Sequence, residues 1–124
     1  MARGSVREER LRSTTGLRHA SPMTSWRGIS GRRYVVGVQP RIDPGLVDMD
    51  GAVLIAVRRM GDGTASVVDV AAPGPGATRR SRLRWLALMR TRGATEMHVH
   101  LLAEGEAERE AVRRDLVEGR GAGP

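Results

Sequence analysis

The chain has no cysteine and no phenylalanine, and only two Trp and one Tyr. Without cysteine no disulfide can form, which suits a reducing compartment, and the expected location is cytoplasmic. With so few rings, a core has to be filled by Val, Leu, Ala, Ile and Met. Lysine and asparagine are also absent, so all 21 basic residues are arginine. The longest apolar runs, such as Ala52 to Val57, fall far short of the roughly 20 residues a spanning helix needs. No hydrophobic signal-peptide core follows the N-terminus, and no membrane partner is expected.

What is present fits one small domain: 124 residues, 40% of them hydrophobic. The net charge of +7 is unevenly placed. Through Arg33 there are eight Arg against Glu8 and Glu9, a net of +6. From Tyr34 onward 13 Arg face 12 acids, a net of +1. A basic tail therefore precedes a nearly neutral folded part. Arginine without lysine, alongside abundant Ala, Gly and Val, is the signature of GC-rich coding sequence, so charge alone is a weak argument for nucleic acid. Residues 1–22 are rich in Arg, Ser, Thr and Gly with no apolar period, and are expected to be a disordered tail. Met23 stands just before the first core-like residues, Trp26 and Ile29, and reads as an alternative translation start.

From Gly31 the pattern sharpens. Arg33 to Val38 reads as a strand, and Ile42 to Gly51, with Asp43-Pro44-Gly45, as a loop. Ala52 to Arg59 is apolar on both faces, hence a central strand. Gly61-Asp62-Gly63 is a hairpin turn, and Ala65 to Ala71 the returning strand. After Ala72-Pro73-Gly74-Pro75-Gly76, Thr78 or Ser81 caps a helix to about Arg92, with Leu83, Leu86 and Ala87 on one face and Trp85, Leu88 and Met89 flanking it. Gly93 ends it. Thr95 to Leu102 is a strand with Met97, Val99 and Leu101 on one face. Glu106 to Glu118 is a helix with Ala107, Ala111, Val112 and Leu116 inward, its acids at the positive end of the dipole and Arg113 and Arg114 at the other. Residues 119–124 are expected to fray. The expected fold is α/β: a small mixed sheet containing a β-hairpin, in the order β-β-β-α-β-α, with helices packed on the sheet as one domain over residues 23–118.

The hairpin A-V-L-I-A-V-R-R-M-G-D-G-T-A-S-V-V-D-V-A-A-P-G, the run R-W-L-A-L-M-R-T-R-G-A-T-E-M-H-V-H-L-L and the closing A-E-R-E-A-V-R-R-D-L together resemble a divergent branch of the GIY-YIG nuclease superfamily. The likeness covers roughly Ala52 to Leu116. It implies a fold of hairpin, helix, strand and helix. It also implies metal-dependent phosphodiester hydrolysis, with a hairpin Tyr as base, a helix Arg on the phosphate and a Glu of the last helix on the metal. The signature positions here fall near Val53-Leu54-Ile55 and Val68-Asp69-Val70, which hold no Tyr. The single tyrosine, Tyr34, lies on an earlier strand. The metal Glu would fall where Val112 and Arg113 stand. A degenerate active site is expected, with no catalytic or metal residues assigned and no cofactor.

His98 and His100, two apart on one strand face, have a spacing that holds a metal if Asp69 or Glu104 joins them. The plainer expectation is that both pack under a helix or face water. Gly74 to Thr78 is only loosely like a phosphate-cradling loop, lacking the Gly-Lys-Ser/Thr ending and containing prolines that cannot donate. The stronger feature is six arginines without an acid from Arg79 to Arg92, beginning at a helix N-terminus that favours anions. Arg79, Arg80, Arg82 and Arg84 are the expected nucleic-acid-binding residues. The expected role is an inactive GIY-YIG-like module for nucleic acid, another polyanion or a protein. The alternatives are a Mg-dependent endonuclease with relocated groups such as Tyr34, His98 or His100, and a protein-interaction domain with no nucleic-acid role.

Overall fold

The computed structural model describes residues 4–10 and 22–117. Strands β1 (Arg7–Arg10), β2 (Met23–Arg27), β3 (Arg33–Gln39), β4 (Val53–Arg59) and β5 (Ala65–Ala71) precede helix α1 (Arg79–Thr91), strand β6 (Glu96–His100) and helix α2 (Gly105–Val117). The strands form one sheet in the order β1-β2-β3-β6-β4-β5. Every pairing is antiparallel, so the sheet is not mixed. Two units meet in it: the β1–β3 meander and the β4–β5 hairpin, joined by β6, which pairs Val99 with Gly37 on one side and with Leu54 on the other. The sheet curls until β1 reaches the β4–β5 hairpin, where Glu8 and Arg59 make an ion pair of 2.7 Å.

Alternation along the strands sorts the apolar residues onto two faces. Leu54, Ala56, Met97 and Val99 face α1, packing with Leu86, Met89 and the segment Ile42, Leu46 and Val47. Trp26, Tyr34, Val36, Val53, Ile55, Val57 and Val70 face α2, packing with Val112 and Leu116. We call this second, concave side the inner face. The helices thus cover opposite faces. Turns sit where the chain allows them: Gly63 takes a φ of 90° in the hairpin turn and Gly93 a φ of 95° after α1, conformations cheap only for glycine. Thr78 caps α1 by accepting from the Ser81 N–H.

Several expectations change. Arg7–Arg10, in the segment expected to be disordered, is an edge strand. It contains no apolar residue, so no periodicity marks it. Its main chain pairs with β2, and Glu9 meets Arg27 at 2.9 Å and Arg33 at 3.2 Å. Met23–Arg27 adds a further strand, and the loop after β3 holds a 3-10 turn, Pro44–Asp48, capped by Asp43. Ala87, Ala107 and Ala111 are exposed, because their helices lean on the bulkier Leu86, Met89, Val112 and Leu116. Leu101 is 56% exposed, since β6 ends at His100. The expected frayed tail, residues 119–124, lies outside the described residues.

Candidate functional site

The arginines of α1 separate into two groups. Arg82 turns inward: its Nη1 donates to the Val47 carbonyl at 2.9 Å, Asp50 stands 3.6 Å away, and its Nε is buried without a hydrogen-bond partner. Arg90 likewise donates to the Ile42 carbonyl. Both tie α1 to the segment beneath it. Arg79 stays exposed but pairs with Asp48 at 3.4 Å. Arg80, Arg84 and Arg92 are exposed, and among the described residues no acid lies within ion-pair range of them. They fall four and eight residues apart, an arrangement that sets them along one stripe of the helix, with Leu88 between them 42% exposed. Of the four arginines expected at a nucleic-acid surface, Arg80 and Arg84 are free on it, Arg79 is shared with an acid, and Arg82 is structural. The Gly74–Thr78 loop is a turn before the helix. Glu106 Oε1 lies 2.7 Å from where a Cβ on Gly74 would stand, so a carboxylate already faces that loop.

The inner face carries a chain of polar groups. Trp26 Nε1–H donates to His98 Nδ1 at 2.8 Å. Indole nitrogen can only donate, so His98 Nδ1 is the acceptor and the proton sits on Nε2, which donates to Glu96 Oε2 at 2.6 Å. Glu96 is clamped by Arg59, with contacts of 2.8 and 3.1 Å, and Arg59 reaches on to Glu8. His98 is fully buried, and that burial pushes its pKa below the usual histidine value against the pull of Glu96. Arg59 holds the Glu96 carboxyl below the usual range, and it does the same for Glu8 against the opposing effect of burial. Each polar atom along this chain has a partner. It is a satisfied network that sets how β1, β2, β4 and β6 stack.

Beside it, Asp115 fastens α2 to the β2–β3 turn. Its carboxylate accepts from the Tyr34 hydroxyl at 2.6 Å, the Ser30 hydroxyl at 2.6 Å and the Ser30 N–H at 2.8 Å. Burial and the Asp115 charge together push the Tyr34 phenol up to about 12. Gly28 makes room for this latch: a Cβ there would stand 2.0 Å from Asp115 Oδ2.

Comparison with family models, with curated proteins and with solved structures returned no match for this chain.

Val53-Leu54-Ile55 and Val68-Asp69-Val70 lie side by side on β4 and β5, with Leu54 opposite Ala71 and Ile55 opposite Val70. Their inner-face side chains are aliphatic and buried. Val112 is in the core, and Arg113 is held by Glu110 at 2.6 Å, which brings the Glu110 carboxyl down to about 2. Among the described residues no group of three or more His, Asp and Glu is placed to hold a metal ion. His98 and His100 do share the inner face, but His98 has no free nitrogen. What sequence reasoning missed is the Asp115 latch and the Glu8–Arg59–Glu96–His98–Trp26 chain. Trp26 was expected in the core and Tyr34 on a strand, but their hydrogen-bond partners lie 72 and 81 positions away. No helix among the described residues is long and apolar enough to cross a membrane.

Proposed function

We propose that the chain is a non-cutting, GIY-YIG-like module that binds nucleic acid through the exposed stripe Arg80, Arg84 and Arg92 of α1. The observation that carries the reading is that these three guanidinium groups stand exposed along one helix with no acid in ion-pair range, while Arg59 and Arg113 on the other side of the sheet are held by carboxylates. Three unneutralised cations on one rigid helix repel one another unless an anion lies across them. The start of α1 adds its amide dipoles and contains no acid in the first turn. Against hydrolysis stand signature positions that hold no Tyr, the engagement of Arg113 with Glu110, and a Tyr34 phenol that donates to a carboxylate and so is a poor base.

Fluorescence anisotropy with labelled duplex DNA and with RNA tests this reading. Binding should weaken with salt, with a slope of about 0.9 per neutralised phosphate for duplex DNA. Replacing Arg80, Arg84 and Arg92 by Gln should flatten that slope by about three units if each meets a phosphate. Incubation with Mg²⁺ or Mn²⁺ should leave plasmid, single-stranded DNA and RNA intact. Metal-dependent nicking abolished by Tyr34→Phe would establish the nuclease alternative instead. Absence of binding at low salt would leave a protein partner as the remaining role.

A further inference from the structure

His98 and His100 lie on the same face of β6, yet their rings are used differently. Both nitrogens of His98 are taken, by Trp26 and by Glu96. His100 has a single partner, the Val35 carbonyl, 2.8 Å from Nδ1. A carbonyl can only accept, so Nδ1 carries the proton, and in the uncharged ring Nε2 is left as a lone-pair acceptor. No described residue bonds Nε2. His100 is only 5% exposed, and what remains accessible of it faces a cavity.

That nitrogen is not sealed in apolar packing. His100 forms part of the wall of a cavity of about 160 Å³ between β3 and α2. The ring of Tyr34 stands edge-on to it, with centroids 5.6 Å apart. Leu102, Ala103 and Val112 supply apolar wall, and Arg32 supplies a cation. Arg32 is exposed and has no ion pair among the described residues. The one acid in the wall, Glu108, turns its carboxylate to the Glu104 N–H. Arg32, Tyr34 and Ala111 also line a wider groove along α2, about 680 Å³ in volume.

The residues present define what fits: an apolar wall, an unpartnered imidazole acceptor and an exposed cation. We propose that this cavity binds a small hydroxylated anion, a hydroxycarboxylate or a phosphate monoester, whose hydroxyl donates to His100 Nε2 while its acidic group pairs with Arg32. Hydrogen bonding to Nε2 selects for the hydroxyl, because an analogue without it displaces water from that nitrogen and returns no hydrogen bond. The arginine selects for carboxylate or phosphate. The site is on the α2 side of the sheet, away from the arginine stripe of α1, and stands or falls independently of nucleic-acid binding.

The test uses the full chain with ¹⁵N-labelled histidine. It is titrated with 4-hydroxybenzoate against benzoate, and with glycerol 3-phosphate against propyl phosphate. At least one hydroxylated probe should shift the Nε2 resonance of His100 saturably and leave the His98 ring unmoved. The matching probe without hydroxyl should bind about ten-fold more weakly or worse. Arg32→Gln, a change at an exposed position that leaves the fold intact, should weaken binding by a similar factor. Which pair responds decides between carboxylate and phosphate. The proposal is overturned if neither hydroxylated probe moves Nε2 at millimolar concentration, if both members of each pair bind alike, or if Arg32→Gln binds unchanged.

Discussion

At the scale of single residues, the inner-face network ties stability to pH and to one indole. Trp26→Phe keeps most of the buried ring but removes the only donor to His98 Nδ1. An unpaired buried acceptor costs about 1–3 kcal/mol, so urea unfolding should show a loss of that order. An unchanged midpoint would mean that His98 finds another partner. Because burial lowers the folded-state pKa of His98, the unfolded chain binds more protons once pH drops through its free value near 6.5. Stability present above that value is then lost as pH falls. Glu8 and Glu96, both held below their ordinary value of 4.5, add a second loss at lower pH, since they too must take up protons on unfolding. Denaturation midpoints should therefore fall from about pH 7 to about pH 5 and fall again below about pH 4.5; a flat or rising profile would contradict the assignment. Tyr34 runs the other way. Its folded value of about 12 lies above its ordinary 10.0, so what it contributes is intact below 10.0 and lost as pH rises toward 12. As the only tyrosine, it gives an unambiguous ultraviolet titration. The midpoint should move down toward 10.0 in urea or in Asp115→Asn.

At the scale of elements, the most exacting contact is the one between α2 and the β2–β3 turn. Asp115→Ala removes the acceptor for three donors. With charge-assisted bonds worth about 1.5–3 kcal/mol each when well shielded, and less in this partly exposed setting, a loss of about 2–3 kcal/mol is expected. Hydrogen exchange should rise first in α2. Gly28→Ala should do comparable damage, because its Cβ would overlap the same carboxylate; wild-type stability would show that the latch gives way easily. None of this was legible beforehand. The hairpin, α1 with its Thr78 cap, β6 and α2 all followed from period and punctuation, because glycines at Gly63 and Gly93 and alternating valines act locally. Asp115 lies near the end of a helix and Ser30 between two strands, and neither carries a local signal. Their meeting depends on where two distant elements land, which a pattern of nearest neighbours does not encode. The same holds for Arg82. Helical spacing put it among its neighbours Arg80 and Arg84, but the direction of its side chain was decided by the carbonyl of Val47 beneath the helix. Strand β1 escaped notice for a different reason: Arg-Glu-Glu-Arg is stabilised by main-chain pairing and ion pairs, so it has no hydrophobic signature.

At the scale of the whole molecule, the two faces of the sheet divide the candidate roles, with the arginine stripe of α1 on one and the His100 cavity under α2 on the other. Arg80→Gln and Arg84→Gln should therefore change the salt dependence of nucleic-acid binding without moving the unfolding midpoint, whereas Arg82→Gln should lower the midpoint, because it leaves the Val47 carbonyl without its donor. Equal effects from all three would erase the distinction drawn between surface and structural arginines. The strand order has a further consequence for the way the protein is made. Among the described strands β6 is the last to leave the ribosome, yet it sits between β3 and β4 and joins the two halves of the sheet. Until residues 96–100 have emerged, the meander and the hairpin each present an unzipped edge to solvent or to a neighbouring nascent chain. Pairs as distant as Gly37 and Val99 then close late and at a high entropic cost, which slows folding. Ribosome-bound chains stalled before Glu96 should be degraded readily by protease, and resistance should appear in one step once β6 and α2 are free of the exit tunnel.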